Sequence, residues 1–263
     1  MSAESAQRPA DIPAVPGEHG GGEMTLMEHL KELRNRVIVC AVAIVLGVIV
    51  CAFFWETILG WFLAPAREEI PDFRLVSLTP TDRIATIFKI AMYGGLVLAS
   101  PVIIYEVMAF VVPGLTPKER NILLPGLLGT IFFLLAGMAF AYWIILPQSM
   151  GFLLNIGADE IENQQQIQAY VNFCTRLIFW TGIAFELPMV IAIAAKLGLV
   201  RARQLLGFWR YAIIIVFILA AIVTPTPDPV TQTFVAGPLL VLYFVGILFA
   251  WTLQPKQPEG TVA

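Results

Sequence analysis

The amino-acid sequence predicts an all-α membrane protein of six transmembrane helices, and three observations carry that prediction. Of its 263 residues 58% are hydrophobic and only 13% are Asp, Glu, Lys or Arg, against roughly 25% charged in a typical soluble domain. Mean hydropathy is +0.80. The charges lie in clusters between long stretches that hold few or none, which excludes a soluble globule. A formal net charge of −3 shows no basic bias toward nucleic acid.

Six apolar runs follow in order: Val37 to Trp55, Ile90 to Val112 with Glu106 inside it, Ile122 to Leu146, Phe173 to Ala195 with Arg176 and Glu186 inside it, Tyr211 to Val223, and Phe234 to Trp251. A helix crosses a hydrocarbon core of about 30 Å at about 1.5 Å per residue, so the first four runs suffice. The fifth has thirteen residues and reaches only about 20 Å. It can take in Gly207 to Arg210, thin the bilayer, or form a re-entrant hairpin with the sixth.

Orientation follows from the cations. The segments up to Arg36, 113–121, 196–210 and the C-terminal tail hold eleven of the sixteen Lys and Arg, whereas 56–89, 147–172 and 224–233 hold four. Positive-inside places both termini in the cytoplasm. The opposite segments 56–89 and 147–172 are acidic and edged by Pro65, Pro71, Pro80 and Pro147, which predicts an outer cap of short helices. Residues 1–23 are rich in Pro, Gly, Ala and Glu and read as a disordered tail rather than a signal peptide, 24–253 as the membrane domain and 254–263 as a cytoplasmic tail. Cys40, Cys51 and Cys174 sit in apolar stretches without CxxC or His-rich spacing, which suggests neither disulfide nor metal site.

Before the first span, Thr25 and Glu28 form a capping-box pattern, and Leu26, Leu30, Leu33 and Val37 recur on one helical face. The other face carries Glu32 four residues ahead of Arg36, the favoured order for an ion pair, which a solvated helix face also explains. In the loop Pro113 to Arg120, Thr116, Pro117 and Glu119 are placed to start a helix. Glu32 and Glu119 nevertheless both fall on the cytoplasmic side near span ends. Two carboxylates there suit guanidinium groups, which bond a carboxylate bidentately as lysine cannot.

Glu186 lies inside the fourth span, where a charge is costly, so it is neutral, wet or paired. Pro188 after it frees a backbone carbonyl at Ala184. Glu106 and Lys89, near the ends of the second span, suit snorkelling. Between the fifth and sixth spans, Asp228 before Pro229 reads as an N-cap, and Thr224, Thr226, Thr231 and Gln232 offer hydrogen bonds to a partner helix. The two histidines, His19 and His29, are N-terminal, and no nucleophile arrangement, phosphate loop or metal-ligand spacing is present, so an enzyme and a bound cofactor are not expected.

The runs HLKELRNR (29–36), SPVIIYEVMAFVVPGLTPKER (100–120), GMAFAYWIILP (137–147), FELP (185–188) and TPTPDPVTQ (224–232) together resemble the TatC family over about residues 25–251. That family is the six-span core of the twin-arginine protein translocase. The resemblance implies a cupped bundle whose last two helices are short, in a bacterial plasma membrane with both termini cytoplasmic. It implies that Glu32 and Glu119 receive the paired arginines of signal peptides, with Arg34 and Arg120 beside them. Glu186 becomes an acid on the concave side, and the group Thr224, Thr226, Asp228 and Gln232 a docking place for TatA- or TatB-type single-span partners. Pro65, Phe110, Tyr142 and Pro188 match motif positions. Other copies of the chain are expected in the complex. The sequence departs from the family pattern at TPTPD, which leaves Thr224 or Thr226 as the family threonine, and at Asn121. A proton-coupled transporter of a small solute is the competing reading, resting on Glu186 alone.

Overall fold

The computed structural model describes residues 26–69, 73–111, 123–155, 165–224 and 228–254. Helix α1 (Leu26–Phe53) is followed by α2 (Trp55–Glu69), α3 (Thr81–Val111), α4 (Leu123–Phe140) and α5 (Leu146–Asn155). Then come α6 (Ile167–Ala184), α7 (Leu187–Lys196), α8 (Ala202–Gly207), α9 (Trp209–Val223) and α10 (Pro229–Leu253). A π-helical turn, Ala141–Ile145, joins α4 to α5 in one rod. Two-residue strands β1 (Leu75–Val76) and β2 (Gln165–Gln166) pair in parallel, Leu75 opposite Gln165.

Five units are long and apolar enough to cross a membrane: α1, α3, the α4–α5 rod, the α6–α7 pair and α10, with α9 as a shorter apolar helix. Leu46, Phe132, Ile214 and Leu248 are each more than half exposed, a surface suited to lipid rather than water. The core lies where the α4–α5 rod, α6 and α10 converge, around Ile145, Leu146, Leu177 and Leu239. Helices α2 and α5 form the expected cap. The Tyr142 hydroxyl donates to the Trp61 carbonyl (2.9 Å) and the Tyr170 hydroxyl to the Phe62 carbonyl (2.5 Å), fastening α2 to the bundle.

One feature of the last two helices corrects the expectation. α9, with 15 residues, is short at about 22 Å, but α10, with 25 residues, is not, at about 37 Å. The cause is its start: Asp228 accepts from the Thr231 amide (2.6 Å) and Pro229 occupies the first turn, so the helix begins five residues ahead of its apolar run. The hairpin reading of this pair therefore fails. The N-terminal tail, expected to be disordered, and the expected capping threonine Thr25 lie outside the described residues, as does the C-terminal tail beyond Gln254.

Lipid offers no hydrophobic drive between helices, so contact must come from close backbone packing. α1 and α3 meet at Gly47 and Gly95: a Cβ on Gly47 would fall 2.5 Å from the Gly95 carbonyl oxygen, and one on Gly95 would run into the Val48 backbone. Gly137 and Gly182 serve the α4–α6 crossing in the same way, a Cβ on Gly137 falling 3.0 Å from Gly182 Cα.

Gly95→Ala is expected to cost about 1–3 kcal/mol, the scale of overpacking. Gly60→Ala, whose Cβ would meet nothing within 4 Å, is expected to be neutral or stabilising. Unfolding of both variants in the same mixed micelles checks the contrast.

Candidate functional site

At the end of the bundle where α1 begins and α3 finishes, a polar cluster spans their interface. His29, Glu32 and Arg36 recur at spacings of three and four on α1, and Glu106 and Phe110 at four on α3, so each set occupies one helical face. Arg36 is held by both helices. Its Nε and Nη2 donate to Glu32 Oε1 at 3.0 and 2.6 Å, and its Nη1 donates to Glu106 Oε2 at 2.9 Å. The His29 and Phe110 rings stack alongside with centroids 4.3 Å apart.

Burial decides what this cluster can do. The side chains of Glu32, Arg36 and Glu106 are 21%, 24% and 15% exposed, so their mutual attraction is less screened than that of a surface pair. Two carboxylates share one guanidinium, which leaves the trio with net negative charge. Glu32 Oε2 is shut off from solvent and has no hydrogen-bond partner. A buried carboxylate oxygen without a donor is costly, and an arriving cationic donor relieves that cost.

Of the other expected residues at this face, Arg34 is exposed, its Nη2 3.4 Å from Asn35 Oδ1. Glu119 and Arg120 lie outside the described residues. Glu186 sits apart from this cluster, in the break between α6 and α7 that Pro188 produces. Both Glu186 carboxyl oxygens are enclosed without a hydrogen-bond partner, and the Thr130 hydroxyl and Leu134 backbone of α4 face them. The break is closed by the backbone itself, Glu186 N–H to the Ile183 carbonyl at 3.0 Å, not by the glutamate side chain.

At the α9–α10 junction two of the polar side chains are spent within the chain, while the buried Thr231 hydroxyl has no hydrogen-bond partner. Thr224 is buried and donates to the Ala220 carbonyl (2.9 Å), and the Gln232 side-chain amide donates to the Phe217 carbonyl (2.8 Å), tying α10 to α9. Thr226 lies outside the described residues. Pro65 is buried within α2, and Tyr142 and Phe110 make the contacts given above.

Two groups escaped the sequence reading. Glu106 does not snorkel; it pairs with Arg36 across 70 residues of sequence. Asp82 is a buried hub of the cap, accepting from the amides of Leu78 and Thr79, the Thr79 hydroxyl and the Gln166 side chain at 2.7–3.1 Å. Lys89 Nζ lies 3.1 Å from the Gln168 side-chain amide, whose oxygen faces it in the orientation that satisfies both amide atoms. The one local hint for Asp82 is its place in the first turn of a helix after Thr79 and Pro80.

Residues 28–238 match the family model of TatC, the Sec-independent protein translocase protein. The chain belongs to the TatC family. It is 37% identical over 246 residues to the TatC protein of Synechocystis sp., covering 94% of this chain and 93% of that one. To the chloroplast TATC protein of Arabidopsis thaliana it is 38% identical over 232 residues, 88% of this chain and 67% of the relative. A crystal structure of the twin-arginine translocase receptor TatC superposes with a TM-score of 0.76 at 35% identity, over 85% of this chain and 98% of that one. Membership in TatC makes this a multi-span membrane component of a protein translocase and not an enzyme.

A double-mutant cycle tests the trio. Arg36→Gln and Glu106→Gln are expected to be non-additive in stability, with a coupling of about 1–3 kcal/mol, measured by unfolding in detergent; additivity would mean that the pair is not held as described.

Proposed function

We propose that this chain is the core receptor subunit of a twin-arginine protein translocase. It binds the paired arginines of signal peptides at the cytoplasmic face and assembles with single-span TatA- or TatB-type subunits, and with further copies of itself, to export folded proteins on the proton-motive force. The membrane is the bacterial plasma membrane with both termini cytoplasmic, which the distribution of Lys and Arg supports.

The observation that supports this reading most is the free oxygen of Glu32. Arg36 occupies Oε1 and, by its second bond to Glu106, is kept from rotating onto Oε2. An incoming guanidinium therefore has one fixed acceptor on Glu32, which it reaches by displacing the side chains that shut that oxygen off from solvent, and Glu119 supplies the second carboxylate, with Arg34 and Arg120 at the periphery. An exposed ion pair is worth only about 0.2–1 kcal/mol, so discrimination of arginine from lysine comes from the planar fork and the partial burial.

For the single-span partners, the α9–α10 region is the docking place, with Thr224, Thr226, Asp228 and Gln232 shaping it. Since Thr224 and Gln232 bond within the chain, the surface offered is the apolar face of α9: Ile214, Ile218 and Ile222 are spaced by four and are 58%, 54% and 62% exposed. Glu186, unpartnered beneath the bundle surface, is the acid available to water or protons during transport.

Replacing both signal arginines with lysine is expected to weaken binding to the purified full chain by about tenfold or more, the loss of at least one charge-assisted hydrogen bond. Glu32→Gln is expected to narrow the gap between the two peptides, whereas Glu186→Gln leaves both affinities unchanged. Fluorescence anisotropy of labelled signal peptides reads all three; equal affinity for the twin-lysine peptide overturns the assignment.

A further inference from the structure

In the half of the bundle capped by α2 and α5, a cavity of about 720 Å³ opens sideways between α1, α2, α3, α4 and α6. That volume falls in the range of about 300–1,000 Å³ that holds small molecules. Its walls present carbon: Leu98, Leu135, Met138 and Ile178 lie within, and the hydroxyl of Thr175 is spent on the Val171 carbonyl at 2.7 Å. Trp61 and Trp143 stand at its rim, 63% and 71% exposed, as tryptophans do at head-group level.

Beside the cavity is a cation with no partner. Arg176 follows Thr175 and precedes Phe179 by three, and both of these line the cavity. Arg176 is exposed and makes no ion pair or hydrogen bond among the described residues. An arginine stays charged even at membrane depth, so it must find an anion or water. Asn172, also exposed, lies one turn nearer the cap on the same face. The Tyr170 contact with Phe62 fixes the level of α2 on α6, and Arg176 lies six residues, about 9 Å, farther along. A snorkelling guanidinium therefore points back toward head-group level, past Asn172.

We propose that the cavity, Arg176 and Asn172 form a binding site for one anionic phospholipid, an acyl chain in the cavity and the phosphodiester on the guanidinium and the amide. Charge selects the occupant, since Arg176 is the single cation in the α6 face beside the opening. The site does not depend on which way the chain faces across the membrane, nor on signal-peptide binding.

The purified full chain in mild detergent is titrated with phosphatidylglycerol or phosphatidylcholine, and bound lipids are counted by native mass spectrometry. One cation near an anionic head group predicts a preference for phosphatidylglycerol of about fivefold. Arg176→Gln abolishes the preference and Arg176→Lys keeps most of it. Ala139→Phe, which leaves the charge and fills the cavity, lowers tight binding of either lipid by one molecule. No preference in the unaltered chain, or a preference that survives Arg176→Gln, overturns the proposal. So does unchanged lipid occupancy in Ala139→Phe, which would place the lipid on the surface, and displacement of no lipid but retention of an added apolar helix bearing one glutamate, which would make Arg176 a protein contact.

Discussion

The backbone crossing of α1 and α3 at Gly47 and Gly95 is the constraint on which the rest of the structure depends. The helices run antiparallel, so positions equally distant from the crossing meet. Arg36 lies eleven residues before Gly47 and Glu106 eleven after Gly95. Eleven residues make just over three whole turns and about 16 Å, which returns both side chains to the facing surfaces at one depth. A slip of one residue on either helix would rotate Glu106 away from Arg36 by about 100°. Arg36 would then pair with Glu32 alone, free to cover both oxygens, and the unmatched acceptor would be lost.

The two ends of the bundle solve opposite problems. At the capped end the charged and phenolic groups are satisfied, although the buried hydroxyls of Thr86, Ser149 and Thr231 have no partner: Asp82 collects four donors, two tyrosine hydroxyls find α2 carbonyls, and Asp228 caps α10. Such completed networks make a rigid frame. At the other end the trio is deliberately incomplete, with one oxygen of Glu32 unmatched. Glu186 is the second carboxylate with oxygens enclosed without partners, at the proline-broken joint between α6 and α7. Unsatisfied groups held by a rigid surround mark where a structure awaits something from outside it.

Much of this was legible from residues alone, and the exceptions have a common cause. Periodicity and charge spacing located every apolar unit, the cap helices and the Glu32–Arg36 pair, because each is decided within a few residues of sequence. Asp228 as an N-cap was legible for the same reason, although its consequence, a full-length α10, was missed by counting only apolar residues. Glu106 was not legible, and nor was the tie from Asp82 to Gln166, because these partners arrive from 70 and 84 residues away. A clue to the crossing existed. Gly47 is the one glycine of α1 and Gly94-Gly95 the only ones of α3, and an isolated glycine within an apolar helix often marks close backbone approach.

The central claim is that paired arginines dock at the α1–α3 rim. A photo-reactive residue placed next to the arginine pair of a signal peptide, irradiated with the full chain in membranes and mapped by peptide mass spectrometry, tests it most directly. Labelling confined to residues 28–36 of α1 and to the 113–121 loop is the predicted result. Labelling of α9 and α10, or of the lateral cavity, with none on α1 would contradict it.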